Sequence, residues 1–168
     1  MGNLWYRFVA RKNNIALIGL DNAGKTTITN FLTNAPYNTT TIPTVGFNVE
    51  VLTLPGRKIT IFDLGGQQAI RKLWPLFSSS MDGIVFVVDG SDIDRLEIAR
   101  HELIKILKLE KLRNRPFIIL VNKQDMDSAV NAIELKTLWR LRGGEYVDTI
   151  GTDGTGVFVA FDKLLQKL

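Results

Sequence analysis

The sequence predicts an α/β fold: an open, mostly parallel sheet of six strands with one antiparallel edge strand, helices on both faces and an amphipathic N-terminal helix. Three observations predict it. Four short stretches, 15–20, 83–89, 117–121 and 146–150, are apolar along most of their length, as strands buried on both faces are. A helical pattern follows each, at 25–32, 94–112, 132–141 and 157–165. Between the first two units, alternating stretches at 47–54 and 58–63 flank Pro55-Gly56-Arg57, a hairpin signal. Ligands of such sheets bind outside the carboxyl ends of the strands, so a site is expected in the loops there.

Residues 1–14 stand apart. Wound as a helix, they place Leu4, Trp5, Phe8 and Val9 on one face, with Asn3 and Arg7 elsewhere. Arg7, Arg11 and Lys12 add three positive charges that no acid offsets, and Lys12 projects toward the apolar face, so the helix is expected to end before it. Met1-Gly2 meets the first demand of N-myristoylation, a Gly2 exposed once Met is removed; Tyr6 stands where Ser or Thr is favoured. Such a segment either lies on a membrane or packs on the core, and can alternate between the two. The chain thus divides into a membrane-binding segment, 1–14, and one domain, 15–168.

The 168 residues are enough for one well-buried core. No apolar run approaches the ~18 residues of a membrane-spanning helix, and no signal peptide is expected. With no cysteine there are no disulfides, thiolate metal sites, prenyl groups or palmitoyl groups, and a cytosolic setting fits. A net charge of +4, without a basic block interleaved with aromatics, makes no case for nucleic acid. An anionic membrane surface is the better use of that charge.

The loop after the first strand reads Gly19-Leu20-Asp21-Asn22-Ala23-Gly24-Lys25-Thr26-Thr27, a G-x-x-x-x-G-K-[ST] match with a strand before it and a helix after. Its glycines let successive N–H groups curl around one anion, and the helix presents its positive end to the same place. Lys25 would reach the terminal phosphates, and the Thr26 hydroxyl would face Mg²⁺. Asp63-Leu64-Gly65-Gly66-Gln67 ends the second hairpin strand. The acid there can hold Mg²⁺ through water, Gly66 can bring an N–H close to a γ-phosphate, and Gln67 can orient the attacking water. Asn122-Lys123-Gln124-Asp125 follows the third apolar run. A carboxylate that accepts two N–H bonds suits guanine and leaves adenine mismatched, so Asp125 selects the base. Pro43-Thr44-Val45-Gly46-Phe47 offers Thr44 as a second hydroxyl for Mg²⁺, after a Thr- and Asn-rich stretch, 34–42, that reads as a mobile loop. Leu96, Leu103, Ile106 and Leu107 read as a core stripe, Trp139 as core, and His101 as a solvated surface residue.

These pieces, in this order, resemble the Ras superfamily of small GTPases. Within it, Gly19 to Thr27, Pro43-Thr44-Val45-Gly46-Phe47-Asn48-Val49-Glu50, Asp63 to Gln67, Ile70-Arg71-Lys72-Leu73-Trp74 and Asn122 to Asp125 resemble the ADP-ribosylation factor (Arf/Arl) branch, from Gly2 to the final helix. The resemblance implies a Ras-like P-loop GTPase fold and a GTP/GDP-regulated switch with slow hydrolysis, assisted by an activating protein. It places nucleotide binding on Asp21, Asn22, Ala23, Gly24, Lys25, Thr26, Thr27, Thr44, Gly66, Asn122, Lys123, Asp125, Gly151 and Thr152. Mg²⁺ falls to Thr26, Thr44 and Asp63, catalysis to Gln67 and Lys25, acylation to Gly2, and an effector surface to Phe47, Phe62 and Phe77. Implied partners are an exchange factor, an activating protein, coat or other effectors, and a membrane reached through the Gly2 myristoyl group and N-terminal helix. The protein is expected to be a monomer cycling from the cytosol to membranes, the Golgi first, in vesicle traffic. Alternatives are an Arl-type switch for ciliary, cytoskeletal or lipid-cargo effectors, and a GTP-loaded scaffold with negligible turnover. In such proteins a register slip of the hairpin, here 47–63, expels the N-terminal helix when GTP binds.

The chain departs from the branch at several points. Phe62 replaces the usual Trp, which makes the effector trio all Phe, and Pro75 follows Trp74, which should restrain or break the helix there. Gly143-Gly144 stands where a longer loop is usual. Ile150-Gly151-Thr152 replaces the customary Cys- or Ser-Ala pair, with the Gly151 N–H expected to serve guanine O6.

Overall fold

The computed structural model describes residues 11–34, 39–44, 47–54 and 57–168, with the backbone alone at 34 and 39–44. The expected helix face of Leu4, Trp5, Phe8 and Val9, the acylation site Gly2, the turn residues Pro55 and Gly56 and the Thr44 side chain lie outside the described residues.

The strands are β1 (Arg11–Gly19), β2 (Thr39–Thr44), β3 (Phe47–Leu54), β4 (Arg57–Leu64), β5 (Gly83–Asp89), β6 (Phe117–Asn122) and β7 (Glu145–Asp148). They form one sheet in the order β2-β3-β4-β1-β5-β6-β7. Every neighbouring pair is parallel except those of β3, which runs antiparallel to both β2 and β4. The helices are α1 (Lys25–Asn34), α2 (Gln68–Arg71), α3 (Trp74–Phe77), α4 (Leu96–Leu107), α5 (Ala132–Trp139) and α6 (Val157–Leu165). This is the class the sequence predicts, a mostly parallel sheet with a single antiparallel strand and helices on both faces.

Two details differ. The sheet has seven strands rather than six, because Thr39–Thr44, read from sequence as loop, pairs with β3 and takes the edge. The antiparallel strand therefore lies one place in. β1 also begins at Arg11 rather than at 15, and Arg11 to Asn14 align with Arg57 to Thr60 of β4. Residues 11–14 thus pair in the sheet as the first half of β1.

Alternation along the central strands builds the two halves of the core. Ala16, Ile18, Ile84, Phe86, Val88, Ile119 and Val121 face Leu96, Leu103 and Ile106 of α4, Leu135 and Trp139 of α5, and Trp74. Ile15, Leu17, Val85, Val87, Ile118 and Leu120 face Ile28 and Leu32 of α1 and Val157, Phe161 and Leu164 of α6. At ~25 cal/mol per Å² of buried apolar surface, two-sided burial of this kind dominates the stability of the sheet. It also fixes every strand end in place, and the site is built on those ends.

Pro75 has the effect expected of it. The helix that would run from Gln68 onward is split into α2 and α3, with Pro75 in the first turn of the second, where a missing N–H costs nothing. The fourth helix is shorter than expected, since 93–95 and 110–112 are single 3₁₀ turns. His101 is exposed, as expected, 3.5 Å from Glu97.

Candidate functional site

An open cleft of about 450 Å³ lies at the carboxyl ends of β1 and β4, lined by Asp21, Asn22, Lys25, Thr26, Phe47, Asp63, Gly66 and Gln67 among others. The loop from β1 to α1 forms its floor. Asn22 and Gly24 hold positive φ angles of 62° and 95°, which turn the chain back on itself. Gly24 is required for a second reason: a Cβ there would lie 2.3 Å from the Asn122 amide nitrogen. The ten-residue α1 then starts at Lys25, and the N–H groups of its first turn have no carbonyl one turn behind them. An anion at this end meets donors that no other backbone group uses.

Lys25 is buried, and its Nζ donates to the carbonyl oxygens of Gly19 at 3.2 Å and Leu20 at 2.8 Å. Burial lowers its pKa, against the pull of Asp63 and Asp21. A partly desolvated ammonium in the middle of a phosphate loop gains most when an anion arrives. Across the cleft Asp63 is equally buried, and the Thr26 hydroxyl donates to its Oδ2 at 2.9 Å. Burial raises the Asp63 pKa, Thr26 and Lys25 partly offset this, and Glu50 adds to it. Gly66 presses against the loop so closely that a Cβ would stand 2.2 Å from both the Asp21 nitrogen and the Leu20 carbonyl carbon. Gln67 is exposed at the start of α2 and borders the same cleft.

The second half of the site is tied together by Asn122. Its side chain is 2% exposed. Nδ2 donates to the Ala23 carbonyl at 2.9 Å, and Oδ1 accepts from the Gly151 N–H at 2.9 Å and from Thr149 Oγ1 at 3.2 Å. Asn122 thus ties the β1–α1 loop to the loop after β7 while one hydrogen of its amide is left over for a base, and the Gly151 N–H expected for guanine O6 is donated to Asn122. Lys123 has φ 66°, and its ammonium lies 2.7 Å from Asp89 Oδ2. Burial pushes the Asp89 carboxyl up, yet Lys123 and the Ser91 hydroxyl and N–H outweigh it and hold the value below 3.8. Asp125 and Thr152 are exposed beyond this clamp, and no other described residue bonds the Asp125 carboxylate. Thr27 is exposed one residue beyond Thr26.

A model of the ADP-ribosylation factor family matches residues 3–168. The chain belongs to that family. ADP-ribosylation factor-like protein 1 of Drosophila melanogaster is 40% identical over 164 residues, 95% of this chain and 91% of that one. Among solved structures, the Arl6 BBS3 small GTPase from Trypanosoma brucei with bound nucleotide analogue GppNp superposes with a TM-score of 0.83 at 34% identity. That match covers 92% of this chain and 96% of the other. This Arf-family protein is thus a small GTPase of the Arf/Arl group, a guanine-nucleotide switch that hydrolyses GTP, and it works with exchange factors, activating proteins and effectors as classes of partner.

The three phenylalanines that the family resemblance assigns to effectors are brought together. Phe77 packs edge-on to Phe47 with ring centroids 4.6 Å apart, and Phe62 stands 6.3 Å from Phe77. The reading from sequence missed Asp89 and Thr149. Asp89 ends the apolar run of β5 beside Asn122 of β6, a register that no linear motif records.

Proposed function

We propose that this GTPase acts as a Mg²⁺-dependent timer that gathers effectors on a membrane in vesicle traffic, its N-terminal segment released in the GTP form. The phosphate cleft carries the first half of this reading. A hydroxyl and a carboxylate oxygen 2.9 Å apart are the donor set for a hard cation that keeps several waters and takes its other ligands from phosphate. Thr26 and Asp63 would hold it, with Thr44 as the third candidate, and bound there it would neutralise charge on the β- and γ-phosphates. Lys25 would balance the terminal phosphates, the Gly66 N–H would meet the γ-phosphate, and Gln67 would orient water in line with it. The described residues around the cleft include no arginine aimed at the γ-phosphate position. Hydrolysis is therefore slow until a partner supplies one.

The membrane half rests on a single observation. An apolar recess of about 200 Å³ lies between the hairpin and α6, lined by Leu52, Leu54, Ile59, Phe158, Phe161 and Leu165. β1 enters beside it: Arg11 is in register with Arg57, whose Nη1 donates to the Leu165 carbonyl at 2.8 Å. The start of β1 therefore lies at the rim of this recess, and we propose the Leu4/Trp5/Phe8/Val9 face as its occupant in the GDP form. One myristoyl chain on Gly2 gives only marginal membrane binding, so that face and Arg7 and Arg11 must supply the rest. We place the protein in the cytosol and on cytosolic membrane faces, the Golgi first. A second reading, an Arl-type switch serving effectors other than coats, draws on the Arf-like names of both relatives and on the all-Phe trio. Flotation of the myristoylated chain with anionic liposomes tests the proposal. Recovery should be several-fold higher with a GTP analogue than with GDP, and equal recovery would overturn it.

A further inference from the structure

One carboxylate in the phosphate cleft has no task in the scheme above. Asp21 lies in the loop between β1 and α1 and lines the cleft together with Lys25, Thr26, Asp63 and Gly66. A negative charge at that mouth repels a nucleoside triphosphate more than a diphosphate, because the triphosphate brings more negative charge into the same cleft. The fold answers this charge from outside the cleft. Arg95 closes the 3₁₀ turn Ile93–Arg95 that leads into α4. Its Nη1 lies 3.2 Å from Asp21 Oδ1, its Nη2 donates to the Asp21 carbonyl oxygen at 3.4 Å, and its Nε donates to Asp92 Oδ2 at 2.6 Å. The planar guanidinium therefore spans two acids on separate segments, which a lysine ammonium cannot do with fixed orientation. The side chains of Arg95 and Asp21 are 32% and 51% exposed, so the pair adds little to folding. Its value lies in what Asp21 faces.

We propose that Arg95 is a positioning residue that sets the preference for nucleoside triphosphate over diphosphate, by neutralising Asp21 and drawing its carboxylate away from the γ-phosphate position. The proposal rests on the guanine-nucleotide reading of the cleft. Dissociation constants for GDP and for a non-hydrolysable GTP analogue, with Mg²⁺, are measured on the full chain and on R95A, D21N and R95A/D21N. Arg95→Ala should lower the triphosphate-to-diphosphate affinity ratio about fivefold, Asp21→Asn should leave it unchanged or raise it, and the double variant should match D21N. A ratio that R95A leaves unchanged, equal weakening of both nucleotides, or a double variant as poor as R95A would each overturn the proposal. So would loss of single-turnover hydrolysis at an unchanged ratio, which would make Arg95 a catalytic group instead. Should R95A fail to fold, Arg95→Lys carries the test. An ammonium cannot hold both acids in one fixed orientation, so R95K should lower the ratio about twofold, where no change overturns the idea. Failure of the underlying reading has a different signature, since the unaltered chain would then bind neither guanine nucleotide.

Discussion

Asn122 makes all three of its side-chain hydrogen bonds to loops far away in sequence, the most distant 99 residues off. Replacing it with Ala leaves the Gly151 N–H, Thr149 hydroxyl and Ala23 carbonyl unpaired in a buried place. Asn122→Ala should therefore cost about 3 kcal/mol in urea unfolding, and should weaken phosphate and base contacts together. The tetrapeptide was legible in the sequence, but the clamp was not, because its partners are defined only when β6 is seated between β5 and β7. Asp89 was hidden in the same way. Its carboxyl titrates lower in the fold than in the unfolded chain, so its stabilisation is present above 3.8 and is lost as pH falls through the lower folded value. Asp89→Asn should be less stable than the unaltered chain by about 2 kcal/mol at neutral pH. In thermal unfolding from pH 7 to pH 3 that gap should stay constant down to about 4 and then narrow; a gap unchanged at pH 3 would assign the effect to packing.

Elements with a clear apolar pattern, continuous in a strand or one-sided in a helix, were the most legible. Every residue of β5 is buried, and its expected and observed limits coincide at Gly83–Asp89; so do those of α6, Val157–Leu165. β2 and the first half of β1 were missed because neither looks like a strand by composition. Thr39–Thr44 has a proline and no alternation, while Arg11 and Lys12 are exposed and polar. Both owe their strand geometry to a neighbour's backbone, which is a property of pairing rather than of side chains. Pro75 acts at this scale. It lacks the N–H that would bond the Arg71 carbonyl, and its ring crowds that oxygen. Pro75→Ala should let α2 and α3 join into one helix, read as a gain in far-ultraviolet helical signal and slower amide exchange over residues 73–77. Stability should change by no more than about 0.5 kcal/mol, as at other exposed positions.

At the scale of the molecule, the loops of the nucleotide cleft cluster at the carboxyl ends of β1, β4, β5 and β6, while the apolar recess opens near the start of β1. Removing residues 1–10 should abolish liposome recovery in both nucleotide states. It should lower the melting temperature of the GDP form by a few degrees and leave the GTP-analogue form unchanged, because only the former would lose a covered apolar surface. The two sites are linked through β3 and β4, which bury Glu50, Leu52, Ile59, Ile61 and Asp63 in alternation with half-exposed neighbours. Because successive side chains of a strand point to opposite faces, this pair of strands obeys a parity rule. Sliding past β1 by one residue would turn Ile59 and Ile61 out to water and bring Lys58 and Thr60 inside. A slide of two residues, about 7 Å, keeps every apolar side chain facing inward. A hairpin that slipped register in this way would act as a bolt with two stops, set apart by the least travel that β-geometry allows.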